Sequence, residues 1–290
     1  MLDERIVRVS DEPVVELFVA ESKGPASRSL LVIHGGPDWD HSYLREPLLQ
    51  LEGVLRLVFV DLRGCGRSTQ GLAPTDYTPS AATADLVALL DVLGAEQVDV
   101  LGFSYGGLLA QRLAVTAPER IGRLILASSS VLPVREDAFR GWTERESRLA
   151  AQPMRVEVDS ATCTEAATRA DAVDSATANV WLAASLPEYL SRLEEVRFSA
   201  EWLKLWLAGA LPPARPDQGV ERLRALSKPI LLLQGRQDMT FPVALVDQTL
   251  ALLPSARAAI IEEAGHMAHI DQPRSWLAAV RTFLTEPAEG

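Results

Sequence analysis

The sequence is poor in lysine, in cysteine and in long apolar runs, and each shortage argues against a class of function. Three of its 28 basic residues are lysines (Lys23, Lys204 and Lys228), no basic block occurs, and 39 acidic residues leave a net charge of −11. Nucleic acid and anionic bilayers are held by clustered cations, so neither is an expected partner. Two cysteines, Cys65 and Cys163, are too few for a disulfide framework. No stretch approaches the roughly 18 apolar residues of a membrane span. The opening Met1-Leu2-Asp3-Glu4-Arg5 lacks the basic and then apolar segments of a secretory signal. These shortages point to a cytoplasmic protein with free thiols. What is present is ordinary globular material. The chain has 290 residues, 48% of them apolar, enough for one large domain or two modest ones without staples.

Strand and helix patterns alternate through the first third. Residues 6–9 and 14–20 read as an antiparallel pair around Ser10-Asp11-Glu12-Pro13. Residues 30–33, 57–60, 98–101 and 124–127 are short apolar runs without alternation, as expected of strands buried on both faces. Residues 81–93, ending at Gly94, and 108–117, ending before Pro118, have helical spacing. Alternation of this kind predicts βαβ units, a mostly parallel eight-stranded sheet and helices on both of its faces. From about Leu132 the pattern changes. No strand is expected before Arg224; helices are predicted over 142–151, 165–186, 187–196 and 201–207, with a proline-rich connector at 210–219. Strands then resume at 229–233 and 256–261, with helices at 243–253 and 272–284, the last one with Asp271 as its expected N-cap. The reading is an α/β core of residues 1–131 and 225–290, interrupted by an all-helical cap of residues 132–224. An insertion that long is better read as a lid than as a loop.

Gly102-Phe103-Ser104-Tyr105-Gly106 matches G-x-S-x-G, a sharp turn that exposes a serine hydroxyl. Its context is the one the motif requires, a strand before and a helix after. An incidental serine in an ordinary turn is the competing reading. A serine hydroxyl needs a base and an orienting acid. In this topology they follow in the order Ser, acid, His. His266 sits beyond the last strand on a glycine, and Asp238 follows the strand after the insertion. His269 is the rival base, and Asp238 could instead be a turn or capping residue. The expected oxyanion donors are the backbone N–H of Tyr105 and one from His34-Gly35-Gly36-Pro37, Gly36 ahead of Gly35. His34 reads as an architectural hydrogen-bonder and Cys65 as a spectator. Trp202 and Trp206 are four apart on one helix face and would line an apolar pocket or pack the insertion on itself.

On these residues the chain resembles the α/β-hydrolase superfamily along nearly its whole length. His34-Gly35-Gly36-Pro37, Asp61-Leu62-Arg63-Gly64-Cys65-Gly66-Arg67-Ser68 and the doublet Gly106-Gly107 resemble the proline iminopeptidase branch within it. The resemblance implies a Ser–His–Asp hydrolase under a helical cap, without cofactor or metal, and carries those roles onto Ser104, His266 and Asp238. Two features depart from the branch. Asp38 stands where HGGPG ends in glycine, and the insertion lacks the branch's Trp-Glu pair. In that branch cap glutamates bind the substrate's free amine. Glu188, Glu194, Glu195 and Glu201 lie in the corresponding part of this chain, and Glu194 and Glu195 are the expected substrate contacts, with Trp202 and Trp206.

The expected activity is hydrolysis of small esters or amides, in its sharpest form release of an N-terminal amino acid or aminoacyl group from a small molecule or short peptide. A carboxylesterase or lactonase for secondary metabolites is the alternative among hydrolases. A receptor or non-hydrolytic enzyme keeping the same three residues is the alternative outside them, because fold alone does not fix function. Epoxide hydrolases and haloalkane dehalogenases need a carboxylate where this chain has Ser104.

Overall fold

Apolar runs without alternation become the middle strands because helices cover both faces of the sheet. The computed structural model describes residues 2–25, 28–152, 159, 160 and 162–286. Its eight strands are β1 (Asp3–Asp11), β2 (Val14–Glu21), β3 (Ser29–Ile33), β4 (Arg56–Val60), β5 (Val98–Phe103), β6 (Ile121–Ala127), β7 (Ile230–Gly235) and β8 (Ala256–Ile261). They form one sheet in the order β1-β2-β4-β3-β5-β6-β7-β8. The β1–β2 and β2–β4 pairs are antiparallel and every other pair is parallel. Strand β3 shows how the core divides. Leu31 and Ile33 face one apolar layer, Leu30 and Val32 the other, and all four are fully buried.

Helices α1 (Pro79–Val92) and α2 (Tyr105–Thr116) close one face with Leu86, Leu89, Leu109 and Leu113. Truncating one of these buried leucines to alanine would cost about 2–5 kcal/mol. The first helix starts two residues earlier than its apolar spacing suggests. Pro79 supplies its first turn, and the Thr78 hydroxyl accepts the Ala81 N–H at 3.1 Å. Between β6 and β7 run α3 (Thr143–Ala150), α4 (Glu165–Asp174), α5 (Leu186–Glu195), α6 (Glu201–Leu207) and α7 (Gly219–Ala225). They pack into both layers: Trp202 and Leu223 join the first, Tyr189 and Leu193 the second. Helix α8 (Ala244–Leu252) joins β7 to β8, and α9 (Pro273–Thr285) covers the second face with Trp276, Val280 and Phe283.

Two local expectations are corrected. The helix predicted over 165–186 breaks after α4 and a single turn at Ala176–Asn179, and Val180 is extended. The cause is Asp271, whose carboxylate accepts the N–H groups of Trp181 (2.8 Å) and Leu182 (3.1 Å) and so withholds them from a helix. For the same reason Asp271 does not cap α9. The capping position is Gln272, with no side-chain cap bond. Among the described residues no helix is long and apolar enough to cross a membrane.

Candidate active site

The parallel strands end at one edge of the sheet, and the loops after β3, β5, β6, β7 and β8 meet there. Ser104 occupies the turn from β5 into α2 at φ 53°, ψ −119°. Non-glycine residues rarely adopt this conformation, which is held only where the surroundings over-determine it. The surroundings do so here. A Cβ on Gly106 would collide with the carbonyl oxygens of Ile33 and His34, and one on Gly107 would lie 2.5 Å from Ser129 Cβ. The helix therefore starts hard against β3 and β6, and the serine side chain is pushed out of the turn.

Ser104 Oγ lies 3.1 Å from His266 Nε2, and His266 Nδ1 lies 2.9 Å from Asp238 Oδ2. With Nδ1–H donating to the carboxylate, Nε2 is left to accept the hydroxyl proton. His266 is 5% exposed and Asp238 fully buried. The two readings of Asp238 prove compatible. Its Oδ1 closes the turn by accepting the N–H groups of Thr240 (2.7 Å) and Phe241 (2.9 Å), which leaves Oδ2 for His266 and for the Gln234 amide at 2.6 Å. The Phe241 ring stacks on the imidazole, with centroids 6.0 Å apart.

Three further groups, none of them expected at the site, hold this arrangement. The Ser128 hydroxyl donates to the His266 carbonyl at 2.7 Å, and the Ser129 hydroxyl to the Ser104 carbonyl at 2.8 Å. One strand end thus grips the backbones of both residues. Asp271 Oδ2 accepts the Gly265 N–H at 2.8 Å and ties the His266 loop to residues 181 and 182. The signal available was positional: Ser128-Ser129-Ser130 directly follows the strand beside the one that carries Ser104.

A cavity of about 720 Å³ opens over Ser104 and His266. Gly36 and Tyr105 both line it, and Gly36 has φ 110°. The Gly35 N–H is already donated to the Tyr43 hydroxyl at 2.8 Å, so Gly36 is the residue of that pair with its amide to spare. Tyr105 is the first residue of α2, and its N–H belongs to the first turn, which has no partner inside the helix. Trp39, Phe103, Leu203, Trp206 and Pro213 make an apolar wall, and α4 contributes Thr168 and Asp171. The connector after α6 is pinned by Arg112 of α2, which donates to the carbonyls of Pro213, Ala214 and Arg215.

The insertion residues expected at the substrate divide. Trp206 lines the cavity and is 64% exposed, whereas Trp202 is fully buried, its indole N–H donating to the Arg63 carbonyl at 2.7 Å. Glu194 and Glu195 are exposed and absent from the cavity wall. On α5 the inward positions go to Tyr189 and Leu193, which turns these glutamates to solvent. His269 is fully buried with Nε2 3.2 Å from the Tyr43 carbonyl. Burial, the Arg192 charge and His266 push its pKa well below the usual histidine value. His34 is also buried and lowered by desolvation. It accepts the Leu62 N–H on Nε2 and donates from Nδ1 to the Gly35 carbonyl. Burial drives the Cys65 thiol well above its ordinary value, so little thiolate forms. Among the described residues no group of three or more His, Cys, Asp or Glu could hold a metal ion.

A mostly parallel sheet, a strained serine on the strand-to-helix turn and an imidazole within reach of it define an α/β hydrolase. The comparisons agree. The family described as alpha/beta hydrolase fold matches residues 28–273. A Bacillus subtilis protein named "Putative 2-succinyl-6-hydroxy-2,4-cyclohexadiene-1-carboxylate synthase" is 28% identical over 293 residues, covering 96% of this chain and 97% of its own. Proline iminopeptidase of Levilactobacillus brevis is 28% identical over 278 residues, covering 88% and 87%. The crystal structure of a proline iminopeptidase-related protein from Thermus thermophilus superposes with a TM-score of 0.74 at 23% identity, covering 98% of this chain and 97% of that one. The chain belongs to the alpha/beta hydrolase family; it is a serine hydrolase of that superfamily, with its resemblance running to the proline iminopeptidase branch.

Proposed function

We propose that the protein hydrolyses small ester or amide bonds through an acyl-enzyme on Ser104. The observation that carries the reading is the hydrogen-bonded chain Ser104–His266–Asp238 at the floor of the cavity. His266 Nε2 takes the hydroxyl proton as Oγ attacks the substrate carbonyl, and Asp238 stabilises the imidazolium from the Nδ1 side. The N–H groups of Gly36 and Tyr105 receive the oxyanion. His266 then protonates the leaving group, and water repeats the sequence on the acyl-enzyme. We take residues 132–224 as a cap over a core formed by 1–131 and 225–290. Residues 153–158 and 161 of that segment lie outside the described ones. Two buried thiols fit a reducing compartment, and the cytoplasm is the proposed location.

The sharper reading is release of an N-terminal amino acid or aminoacyl group, which the proline iminopeptidase relatives favour. Glu194 and Glu195 being turned away, the carboxylate on the described cavity wall is Asp171. Parallel assays with aminoacyl arylamides and short acyl esters, beside labelling with a fluorophosphonate, test both levels. Labelling at Ser104 with turnover of either class is the expected result. A requirement for a free amine selects the peptidase-like form, and indifference to it selects the esterase. Labelling with no turnover of any acyl substrate overturns the hydrolytic reading in favour of a receptor or non-hydrolytic role.

A further inference from the structure

Position 38 is where this chain leaves the HGGPG pattern, and the structure gives the departure a purpose. Asp38 is fully buried at φ 72°, a left-handed conformation that glycine enters freely and that Asp and Asn tolerate better than other residues. Its carboxylate leaves its own loop and meets the start of α6. Oδ1 accepts the Ser199 hydroxyl at 2.8 Å and the Trp202 N–H at 3.1 Å, and Oδ2 accepts the Leu203 N–H at 2.6 Å. The Asp38 carbonyl also accepts the Ser199 N–H at 2.9 Å. Helix α6 has no cap of its own, since Ala200 holds the capping position and its methyl group cannot accept a hydrogen bond. The orphan amides of its first turn are satisfied from more than 160 residues away.

We infer that Asp38 is a positioning residue: its carboxylate caps α6 from the Gly35-Gly36-Pro37 loop and fixes the cavity wall carried by α6 relative to the Gly36 amide. Leu203 and Trp206 form that wall, and Gly36 and Pro37 line the same cavity two residues and one residue before Asp38. Burial raises the Asp38 pKa while the amides of Trp202 and Leu203 pull it back, as expected of a carboxylate kept in the interior for its hydrogen bonds. Glycine at 38 would suit the backbone but leave two buried N–H groups unmet. The effect on substrate rests on the acyl-enzyme reading above; the cap itself does not.

Two variants and two readouts test it. Asp38→Gly removes the cap and relieves the backbone, whereas Asp38→Asn keeps one acceptor oxygen and tolerates the positive φ. Amide hydrogen exchange at Trp202 and Leu203 should accelerate about tenfold or more in Asp38→Gly and much less in Asp38→Asn, with β5 and β6 protected as before. The KM for an ester with a bulky aromatic acyl group should rise about tenfold in Asp38→Gly with a smaller change in kcat, while an acetyl ester, too short to reach α6, shifts by less than about threefold. Asp38→Asn should recover most of the aromatic-ester KM. Unchanged exchange at residues 202 and 203 in Asp38→Gly overturns the cap. Equal loss of kcat on both esters with KM unaltered, or Asn behaving like Gly, overturns the positioning role. Should the parent hydrolyse neither ester, the acyl-enzyme reading fails while exchange still decides the cap; should Asp38→Gly not fold, the Asn variant's exchange decides it, because its single oxygen can serve only one of the two amides: a few-fold acceleration at one of them is expected, and no change at either overturns the cap.

Discussion

Ser104 carries backbone strain that would be idle in a structural serine, and the hydroxyl it presents has one partner placed to take its proton. Removing that hydroxyl should therefore stop the chemistry and leave the fold. Ser104→Ala is expected to lower turnover at least ~10³-fold on any ester the parent cleaves, and a variant at the parental rate would show that the nucleophile lies elsewhere. Asp238→Asn probes the next bond. An amide at 238 can present N–H where Oδ2 now accepts, which favours the imidazole tautomer with its proton on Nε2, facing the serine. The expected loss in kcat is on the order of 10⁴-fold, with some loss of melting temperature because the same N–H would face the Gln234 amide. If His266→Ala kept full activity while His269→Ala lost it, the base would be misassigned; the burial of His269 against the Tyr43 carbonyl argues against that outcome. That Ser104, His266 and Asp238 would meet could be read from the sequence, because a serine, an acid and a histidine in this topology are expected in a fixed order along the chain. Ser128 and Ser129 offered only their place after the neighbouring strand, because a hydroxyl bound to a carbonyl calls for no residue pattern around it.

At the scale of elements, legibility followed where each element's neighbours lie. Strands β3, β5 and β6 are largely buried on both faces, so burial explains most of their composition, and a mostly apolar run of four residues between turn signals is enough to find them. Helix α6 was found to the residue, yet what caps it was invisible, because the cap comes from position 38. The break after α4 was invisible for the same reason: the stretch is helix-prone, and Asp271 overrides it from far along the chain. Asp271 joins the Gly265-His266 loop to residues 181 and 182, as Asp38 joins the Gly36 loop to α6. Two carboxylates therefore bind the segment between β6 and β7 to the loops that carry Gly36 and His266. Asp271→Ala would strand three backbone N–H groups, those of Trp181 and Leu182 between β6 and β7 and that of Gly265 beside His266. Urea denaturation should register a loss of about 2 kcal/mol or more, and kcat should fall further than KM rises because the imidazole loses its support. A variant with unchanged stability would mean that water replaces the carboxylate without cost.

The whole molecule carries a net charge of −11, but its response to acid should be set in part by two histidines buried without charge. His34 and His269 are both lowered by burial, His269 well below its ordinary value. In the unfolded chain each would titrate near 6.5. As pH falls through that value, the unfolded chain binds protons that the folded protein refuses, so the equilibrium moves toward unfolding. The stability these groups contribute is complete above the unfolded pKa and is lost as pH falls toward the folded one, at up to about 1.4 kcal/mol per pH unit for each histidine. Buried acids such as Asp85 and Asp99, whose pKa values are raised by desolvation, act in the opposite direction, so the absolute slope mixes several groups. Subtracting parent from variant separates them. His269 sits among the rings of Tyr43, Phe103 and Trp276, where phenylalanine is close in shape. His269→Phe should make urea stability between pH 7 and pH 5 flatter than the parent's by up to one histidine's share, while the activity of the folded enzyme at pH 7 changes little. Parallel pH profiles for the two proteins would mean that His269 takes up its proton without unfolding the chain, and the cause would then lie with His34 alone or with the carboxylates.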